Sequence, residues 1–294
     1  MTQLLACLRA SLAITLACCA VPKPVRGPAV ADPAHVGEAQ SPRGDKLVVN
    51  RPLTIAFVAT GSFFWLASDR LWHDQLAPKE CRIICEPNGV NPFDRIFGHA
   101  LNWKDHVLPQ TISDVASYVA VPLMVVGGLT LSSLVLEHQP ENWLDDMLVV
   151  AETTVATGLV NRAVALGFGR TRPRIRNLPP GEPVPPGDRQ AYQSFFSGHN
   201  SEAFSLGLSA AVVASMRHYR IAPWLWGGTI VLGTLIGYMR LAGEDHYVTD
   251  VLVGSAVGIA FGIGMPRLHR VKRGPKIAVA PLRDGAALAL SGSW

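Results

Sequence analysis

Six long apolar stretches separated by polar breaks dominate the chain from Leu53 onwards. They cover residues 53–68, 113–136, 146–168, 201–216, 223–239 and 248–265. At a rise of ~1.5 Å per residue, stretches of about 20 residues can cross a bilayer, and the shorter ones are marginal. The pattern therefore predicts an all-α fold: a membrane-embedded bundle of about six helices, of which five or six span the membrane.

Composition favours this membrane bundle over a soluble helical protein. Hydrophobic residues make up 49% of the 294-residue chain and charged residues only 16%, which is apolar for a soluble protein. Glycine recurs inside several of the apolar stretches, for example at Gly127, Gly128, Gly254 and Gly258. Small residues let helices approach closely in lipid, whereas glycines inside the helices of a soluble bundle lower its stability.

The chain divides into five segments by composition. Residues 1–22 are a signal-like or anchoring segment, because Arg9 precedes an apolar run. A flexible linker rich in proline and glycine follows at 23–50. An amphipathic or first membrane helix with an exported loop is predicted at 51–112, a helical core at 113–268, and a basic, then apolar, tail at 269–294.

Two cysteines outside the signal-like segment, Cys81 and Cys85, lie four residues apart in a polar stretch. In an exported loop this spacing indicates a local disulfide and an oxidising compartment. A zinc site is the weaker interpretation, because only the scattered His73 and His99 are available as further ligands.

Short basic segments suggest an orientation. Residues 217–220 and 267–276 favour the cytoplasm, which places the loops 169–200 and 240–247 on the exported face. A cleaved signal followed by a spanning helix at 53–68 would invert this arrangement. Either residues 1–22 are not a working signal, or 53–68 lies along the membrane or on the bundle without crossing it. The interfacial Trp65 and Trp72 favour the second alternative.

The two predicted exported loops hold the candidate chemistry. His246 and Asp250 are spaced i, i+4, and on a helix their Cβ atoms would lie ~5–6 Å apart. The carboxylate would then accept one ring N–H and leave the other nitrogen of His246 to attack phosphorus. The alternative is an ordinary hydrogen bond at a helix end.

A second cluster, Ser197-Gly198-His199, stands where a loop leads into the fourth apolar stretch. Gly198 would let the backbone approach an anion, Ser197 would offer its hydroxyl, and free N–H groups at a helix start favour phosphate. His199 would protonate the leaving oxygen and then activate water. The alternative is a serine N-cap followed by a chance histidine.

Arginine supplies the cations in the same loops. Arg172 stands among alternating arginines, and Arg240 ends the fifth apolar stretch. A guanidinium pairs with phosphate oxygens in bidentate fashion. Taken singly, each arginine could instead be a solvated side chain or one that faces lipid headgroups. Three clusters recur on one predicted face, however, and this favours a common phosphate site.

At these residues the chain resembles the type 2 phosphatidic acid phosphatase superfamily, which is related to bacterial acid phosphatases and vanadium haloperoxidases. The motifs are Arg172-Pro173, then Ser197-Gly198-His199, then Arg240 with His246 and Asp250 at the family's spacing. The resemblance covers residues 113–268. It implies His246 as the nucleophile, Asp250 as its orienting partner, His199 as the general acid, and a phosphate cradle of Arg172, Arg240, Ser197 and Gly198, with no metal or other cofactor.

One departure from the family pattern concerns charge. The family's first motif begins with a lysine that would fall at position 165, which is Ala165 here. Loss of one cation from a phosphate cradle weakens transition-state stabilisation. Arg170 and Arg162 are the candidates for supplying the missing charge. Phe196 and Met239 replace the proline and serine of the second and third motifs, but neither change removes a proton-transfer group.

The resemblance implies a membrane-associated phosphatase that hydrolyses a lipid phosphate or diphosphate monoester through a phosphohistidine, with its site on the periplasmic or exterior face of a bacterial-type cell membrane. Its expected partners are the lipid phosphate and membrane lipids. Nucleic acid is not expected, because no known binding motif is present. The alternatives are a soluble exported acid phosphatase or haloperoxidase, and a catalytically silent protein that binds lipid headgroups.

Overall fold

A computed structural model describes residues 47–83, 85, 90–270, 276–282 and 285–291 of the chain. All of these belong to one unit, Pro42–Trp294. The predicted signal-like segment 1–22 and nearly all of the predicted linker 23–50 lie outside the described residues.

The described part of the chain contains ten α-helices. They are α1 Arg51–Arg70, α2 His73–Leu76, α3 Pro92–Leu101, α4 Val107–Val115, α5 Val121–Thr130, α6 Pro140–Phe168, α7 Pro173–Arg176, α8 Gly198–Met216, α9 Ala222–Ala242 and α10 Val248–Leu268. The π-helical segments Ala116–Ala120 and Leu131–Leu136 adjoin α5, so that Val107–Leu136 is one continuous helix.

The tail adds an antiparallel hairpin that the apolar pattern did not predict. Its strands are β1, Lys276–Leu282, and β2, Gly285–Ser291, paired in register from Lys276 with Ser291 to Leu282 with Gly285. The other regular elements of the described chain are helices, apart from the single bridge of Leu47 with Arg270, and the predicted all-α membrane bundle is confirmed.

Long helices occur at all six predicted apolar stretches. Four segments among the described residues are long and apolar enough to cross a membrane: Val107–Leu136, Pro140–Arg176, Ala222–Ala242 and Val248–Leu268. The other two stretches correspond to α1 and α8. Helix α8 packs against α5, α6, α9 and α10 at the centre of the bundle and is lined by small buried residues such as Ala210, Ala211 and Ala214. Because its neighbours cover it, it does not need a continuous apolar surface.

Local signals set where these helices begin and end. The side chain of Asn50 accepts a hydrogen bond from the backbone N–H of Leu53 at the start of α1. Proline occupies one of the first positions of α1, α3, α6 and α9, where its missing N–H costs nothing. Helix α6 ends at Gly169, whose φ of +59° is the left-handed conformation that glycine adopts most easily. The chain then turns into the loop that carries Arg172.

Close contact between α8 and α10 brings the second and third motifs together. A Cβ atom at Gly254 would lie 2.6 Å from the carbonyl oxygen of Ser197, and one at Gly258 would collide with the carbonyl oxygen of Ser201. Both contacts are with backbone, which cannot move aside. Glycine at these positions therefore allows the start of α10 to approach the start of α8.

Helix α1 runs beside α6 as a bundle helix. Arg51 pairs with Asp145 at 2.6 Å near the start of both helices, and Ser68 contacts Arg162 further along both. A 20-residue helix is ~30 Å long, about the thickness of the bilayer core. Helix α1 therefore lies on the bundle. Trp65, which suggested an interfacial segment, packs against Gly158 of α6.

A buried ion pair closes the end of the bundle opposite the predicted site. Arg217 and Tyr219 donate to the two carboxylate oxygens of Asp146, each at 2.9 Å. One of the basic charges used to predict orientation is therefore neutralised inside the protein. The start of α1 is at the same end, because the N–H of Val48 donates to the carbonyl oxygen of His269 at 2.9 Å.

Cys81 and Cys85 are bonded in the structure, with their Cα atoms 5.5 Å apart. Between them, the N–H groups of Arg82 and Ile83 donate to the carbonyl oxygens of Gly169 and Phe168. The cysteine segment is therefore held against the end of α6, at the same end of the bundle as the candidate site.

Candidate active site

Two adjoining cavities lie where α6 ends, α8 and α10 begin and α9 ends. The first, of about 310 Å³, is lined by His199, His246, Arg172 and Gly198 of the predicted site. The second, of about 390 Å³, is lined by His199, Arg172 and Arg240. The two predicted histidines thus share one cavity, and His199 and Arg172 belong to both. Ser197 and Asp250 lie just behind this surface and are completely buried.

His246 is 4% exposed, and its Nδ1 lies 2.7 Å from the carbonyl oxygen of Ser194. A carbonyl only accepts hydrogen bonds, so Nδ1 carries the proton and the lone pair resides on Nε2. Burial, together with the positive charges of Arg172 and Arg240, holds the pKa of His246 well below its usual value. The ring is therefore neutral near pH 7, as a nucleophile must be.

Asp250 reaches His246 indirectly. Its nearest oxygen lies 3.9 Å from Nδ1 of His246, which is longer than a hydrogen bond. The i, i+4 argument assumed that both residues lie on one helix, but α10 begins at Val248 and His246 precedes it. Asp250 instead accepts from the hydroxyl of Ser194 at 2.6 Å and from the N–H of Tyr247 at 3.0 Å. It therefore fixes both chain segments that orient the imidazole.

His199 is in the first turn of α8, and its ring packs edge-on against Tyr118 with the ring centres 5.1 Å apart. Its Nε2 lies 3.0 Å from a carboxylate oxygen of Asp114, although the ring N–H is not aligned on that oxygen for a hydrogen bond. Burial and the positive charge of Arg240 lower the pKa of His199 to about 4, and the nearby carboxylate of Asp114 opposes this shift. The negative charge of a bound phosphate acts in the same direction as Asp114 and favours the protonated ring. The contact with Asp114 suits a group that gives and receives protons.

Ser197 and Gly198 connect the start of α8 to two different helices, α10 and α6. The backbone N–H of Ser197 donates to the carbonyl oxygen of Asp250 at 3.1 Å, which ties the start of α8 to α10. A Cβ atom at Gly198 would lie 2.9 Å from the side-chain oxygen of Asn161. Glycine at 198 is therefore needed for packing against α6, a reason that the sequence argument about anion approach did not include.

Arg172 and Arg240 are held together by Asp245, a residue that the motif did not single out. Its carboxylate is 2.9 Å from Arg172 and 3.0 Å from Arg240, and it also pairs with Arg174. Burial acts to raise the pKa of Asp245, but the three guanidinium groups outweigh it and keep the pKa below its usual value. The ionised carboxylate therefore holds the cations at one point on the cavity wall.

Several buried polar atoms near the cavity have no protein partner. Among the described residues the buried side-chain atoms without a hydrogen bond are Ser117 Oγ, Ser132 Oγ, Ser197 Oγ, His199 Nε2, Asn200 Oδ1 and Arg240 Nε. Buried polar groups are nearly always hydrogen-bonded. Half of these exceptions belong to predicted site residues, and all three of those atoms can donate to a phosphate oxygen.

Ala165 lines the first cavity together with the two histidines. Of the two arginines considered as substitutes, Arg170 is held between Asp94, at 2.9 Å, and Asp250, and its guanidinium stacks 4.1 Å above the ring of Tyr247. It fixes α3 to the start of α10 and does not line the cavity. Arg162 does line it.

Three residues of the site were missed by the sequence argument: Ser194, Asp114 and Asp245. Asp245 is next to His246 in the sequence, and this position was the signal by which it could have been identified as a site residue. Asp114 and Ser194 belong to segments distant in the chain from the groups that they contact, and no local pattern marks them. Among the described residues, no group of three or more His, Cys, Asp or Glu side chains is arranged to hold a metal ion.

Comparison with known proteins agrees with the motif assignment. Residues 146–273 match the family model described as the PAP2 superfamily, which confirms the resemblance noted from the motifs. A curated relative, the lipid A 1-phosphatase of Porphyromonas gingivalis, is 29% identical over 144 residues, covering 48% of this chain and 27% of that protein. The aligned part is thus about a quarter of that relative's length.

Two solved structures are also similar. One is described as the first transmembrane PAP2 type phosphatidylglycerolphosphate phosphatase from Bacillus subtilis, with 18% identity, a TM-score of 0.43, and coverage of 72% of this chain and 94% of that one. The other is LpxE of Aquifex aeolicus, with 20% identity, a TM-score of 0.39, and coverage of 58% and 90%.

Proposed function

We propose that the protein is a membrane phosphatase of the PAP2 superfamily, which acts on a lipid phosphate or diphosphate monoester through a phosphohistidine. The match of residues 146–273 to that family model supports the proposal. The observation that carries the proposal is the single cavity that brings together neutral His246, His199 and Arg172. A nucleophile, a proton donor and a cation for the developing charge are the groups that this chemistry requires.

In the first step, Nε2 of His246 forms a bond to phosphorus as the ester P–O bond breaks. His199, in its protonated form, gives its proton to the leaving oxygen, so that the lipid departs as an alcohol or, from a diphosphate, as a monophosphate. Arg172 and Arg240 offset the charge on the equatorial oxygens, and the hydroxyl of Ser197 and Nε of Arg240 are donors without another partner.

In the second step, the now neutral His199 takes a proton from water, and the water oxygen bonds to phosphorus as the N–P bond breaks. His246 recovers its lone pair and inorganic phosphate leaves. Throughout, the carbonyl oxygen of Ser194 holds the proton on Nδ1 of His246. The imidazole therefore presents the same nitrogen in both steps.

A lipid substrate is supported by the position of the cavity in the bundle. One wall is formed by Trp65, Leu66 and Asp69 near the end of α1. Leu66 is also among the exposed apolar residues of that helix, together with Phe63 and Phe64. A headgroup in the cavity thus lies next to an apolar outer surface that suits an acyl or prenyl tail. The four apolar helices favour this over the soluble alternative.

We further propose that the site faces the exported side. Residues 217–220 and the end of α10, with Arg267 and Arg270, are at the other end of the bundle, which supports a cytoplasmic location for that end. The Cys81–Cys85 disulfide is at the site end and suits an oxidising compartment. In this arrangement the start of α1, beside His269, is at the cytoplasmic end, which favours the alternative that residues 1–22 are not a cleaved signal.

Phosphate release tests the activity. Detergent-purified wild type and His246→Ala are assayed on a panel of lipid monophosphates and diphosphates, with thermal unfolding confirming that both are folded. We expect wild type to release phosphate from at least one lipid and His246→Ala to release none above background. A folded wild-type sample that releases phosphate from no lipid would sink the proposal. Maleimide labelling of reduced Cys81 in sealed cells tests the orientation, and labelling only after lysis contradicts it.

A further inference from the structure

We propose that Arg162, held in place by α1, α2 and the loop before α8, is a third cationic ligand of the substrate phosphate, beside Arg172 and Arg240, and takes the place of the lysine absent at position 165. This inference rests on the proposed phosphatase function and adds a residue that the three motifs do not contain.

The first support is position. Arg162 precedes Ala165 by three residues on α6, and residues spaced i, i+3 share one face of a helix. Both line the 310 Å³ cavity that contains His199 and His246. A cation from residue 162 therefore enters the same cavity that a lysine at 165 would enter, from one turn earlier on the helix.

The second support is the hydrogen bonding of the guanidinium. Nε and Nη2 of Arg162 donate to the hydroxyl and the carbonyl oxygen of Ser68, at 3.2 and 2.6 Å. Nη1 donates to the side-chain oxygen of Gln193 at 2.6 Å. Arginine has five N–H donors, so these three bonds leave two for a ligand. All three acceptors are neutral.

The third support is charge. Arg162 is 8% exposed, and the nearest carboxylate oxygen in the described structure is that of Asp69, at 3.5 Å. The other buried arginines near the site each contact a buried carboxylate: Arg170 contacts Asp250 and Asp94, and Arg172 and Arg240 contact Asp245. A buried cation with weak compensation is stabilised by an incoming anion. Arg162 therefore gains more than the other arginines from a bound phosphate.

The partners of Arg162 are themselves fixed. The amide nitrogen of Gln193 lies 3.1 Å from Nε2 of buried His73 in α2 and donates to the carbonyl oxygen of Arg189 at 3.1 Å. Ser68 donates its hydroxyl proton to the carbonyl oxygen of Trp65 at 2.7 Å within α1. Ser68 and His73 lie outside the family match at 146–273. The segment before the family core thus positions a guanidinium inside the active-site cavity.

A rescue experiment separates a phosphate ligand from a structural bridge. The variants are Arg162→Gln, Ala165→Lys and the double variant, assayed for kcat and KM on the best lipid phosphate, with unfolding temperature measured for each. We expect Arg162→Gln to lower kcat/KM by ~10²-fold, the usual effect of losing one transition-state donor. Adding Ala165→Lys should recover at least about tenfold of that loss, because the lysine restores a cation without restoring the contacts to Ser68 and Gln193.

The control is Arg220→Gln. The side chain of Arg220 is 82% exposed and lies at the end of the bundle opposite the cavity, where its charge is screened by water. We expect a change of less than about threefold. An Arg162→Gln enzyme within threefold of wild type overturns the inference. A loss that Ala165→Lys does not restore also overturns it, because a bridge between α1 and α6 would behave in that way.

Orthovanadate binding keeps this test independent of turnover. Isothermal titration of the full-length protein should show about tenfold weaker binding of orthovanadate to Arg162→Gln than to wild type or Arg220→Gln. Equal affinity for wild type and Arg162→Gln would contradict the role of Arg162. If wild type is inactive but still binds vanadate more tightly than Arg162→Gln does, the phosphatase proposal is refuted and the role of Arg162 in binding the anion is not.

Discussion

The indirect connection between Asp250 and His246 gives the sharpest mutational prediction. In the structure Asp250 holds Ser194, and the carbonyl oxygen of Ser194 holds the imidazole. Ser194→Ala keeps that carbonyl but removes the hydroxyl that donates to Asp250 at 2.6 Å. A hydrogen bond to a charged group contributes about 1.5–3 kcal/mol. If this whole free energy serves to orient His246, its loss lowers kcat by about 10- to 100-fold, since each 1.4 kcal/mol is a factor of ten in rate.

The assay is kcat and KM for phosphate release by wild type, Ser194→Ala and Asp250→Asn. Ser209→Ala is the matched control, because Ser209 is equally buried and its hydroxyl donates within α8, to the carbonyl oxygen of Leu206 at 2.9 Å. We expect kcat to fall in Ser194→Ala and to stay unchanged in Ser209→Ala, with little change in KM. Wild-type kcat in Ser194→Ala together with an inactive Asp250→Asn would refute the indirect connection and imply a direct contact between Asp250 and His246 during turnover.

Three further predictions concern stability. Gly258→Ala should prevent folding or lower the unfolding temperature sharply, because the new methyl group would collide with the backbone of α8, whereas Gly264→Ala, with open space around it, should unfold like wild type in differential scanning fluorimetry. Asp146→Ala leaves Arg217 buried without its partner and should cost about 3–5 kcal/mol. Its neighbour Asp145 pairs with half-exposed Arg51, so Asp145→Ala should cost about 1 kcal/mol or less by chemical denaturation. The pKa of His246 is lower in the folded protein than in the unfolded chain, so as the pH falls His246 takes up a proton in the unfolded chain before it does so in the folded protein. Stability should therefore decrease below about pH 6.5, and this decrease should be smaller in His246→Asn, as measured by unfolding temperature from pH 7.5 to 5.

The contrary outcomes are equally definite. Similar unfolding of Gly258→Ala and Gly264→Ala would mean that α8 and α10 are less closely packed than described. If Asp146→Ala and Asp145→Ala lower the free energy of unfolding equally, burial of the Asp146–Arg217 pair does not determine its contribution to stability. An unchanged acid slope in His246→Asn would show that His246 does not contribute to the pH dependence of stability.

The sequence predicted the bundle well because its main signal, long apolar stretches, is local. Each of the six stretches became part of a long helix, and the three motifs met in adjoining cavities because each stands next to a helix end. Boundaries were less accurate: α8 begins at Gly198 rather than near 201, and α10 begins at Val248, after His246. That second difference changed the chemistry, since it removed the basis for a direct contact between Asp250 and His246.

Contacts between distant segments could not be predicted from local patterns. Asp94 in α3 accepts from the backbone N–H and the hydroxyl of Thr249, at 2.9 and 2.7 Å, and so fixes the start of α10 from a helix about 150 residues earlier. Ser68 and Arg162 are likewise far apart in the chain. Such pairs depend on how the helices pack, which apolar periodicity alone does not determine.

The central claim, that His246 attacks phosphorus, is tested most directly by trapping the intermediate. Purified wild type and His246→Gln are mixed with a radiolabelled lipid phosphate that wild type hydrolyses, quenched in alkali within one turnover, and mapped by proteolysis. The mechanism predicts label on the peptide containing His246, stable to alkali, lost in acid, and removed by a chase with unlabelled lipid. A wild-type enzyme that turns over without acquiring label on that peptide, or a His246→Gln enzyme that is labelled elsewhere and still turns over, would contradict it.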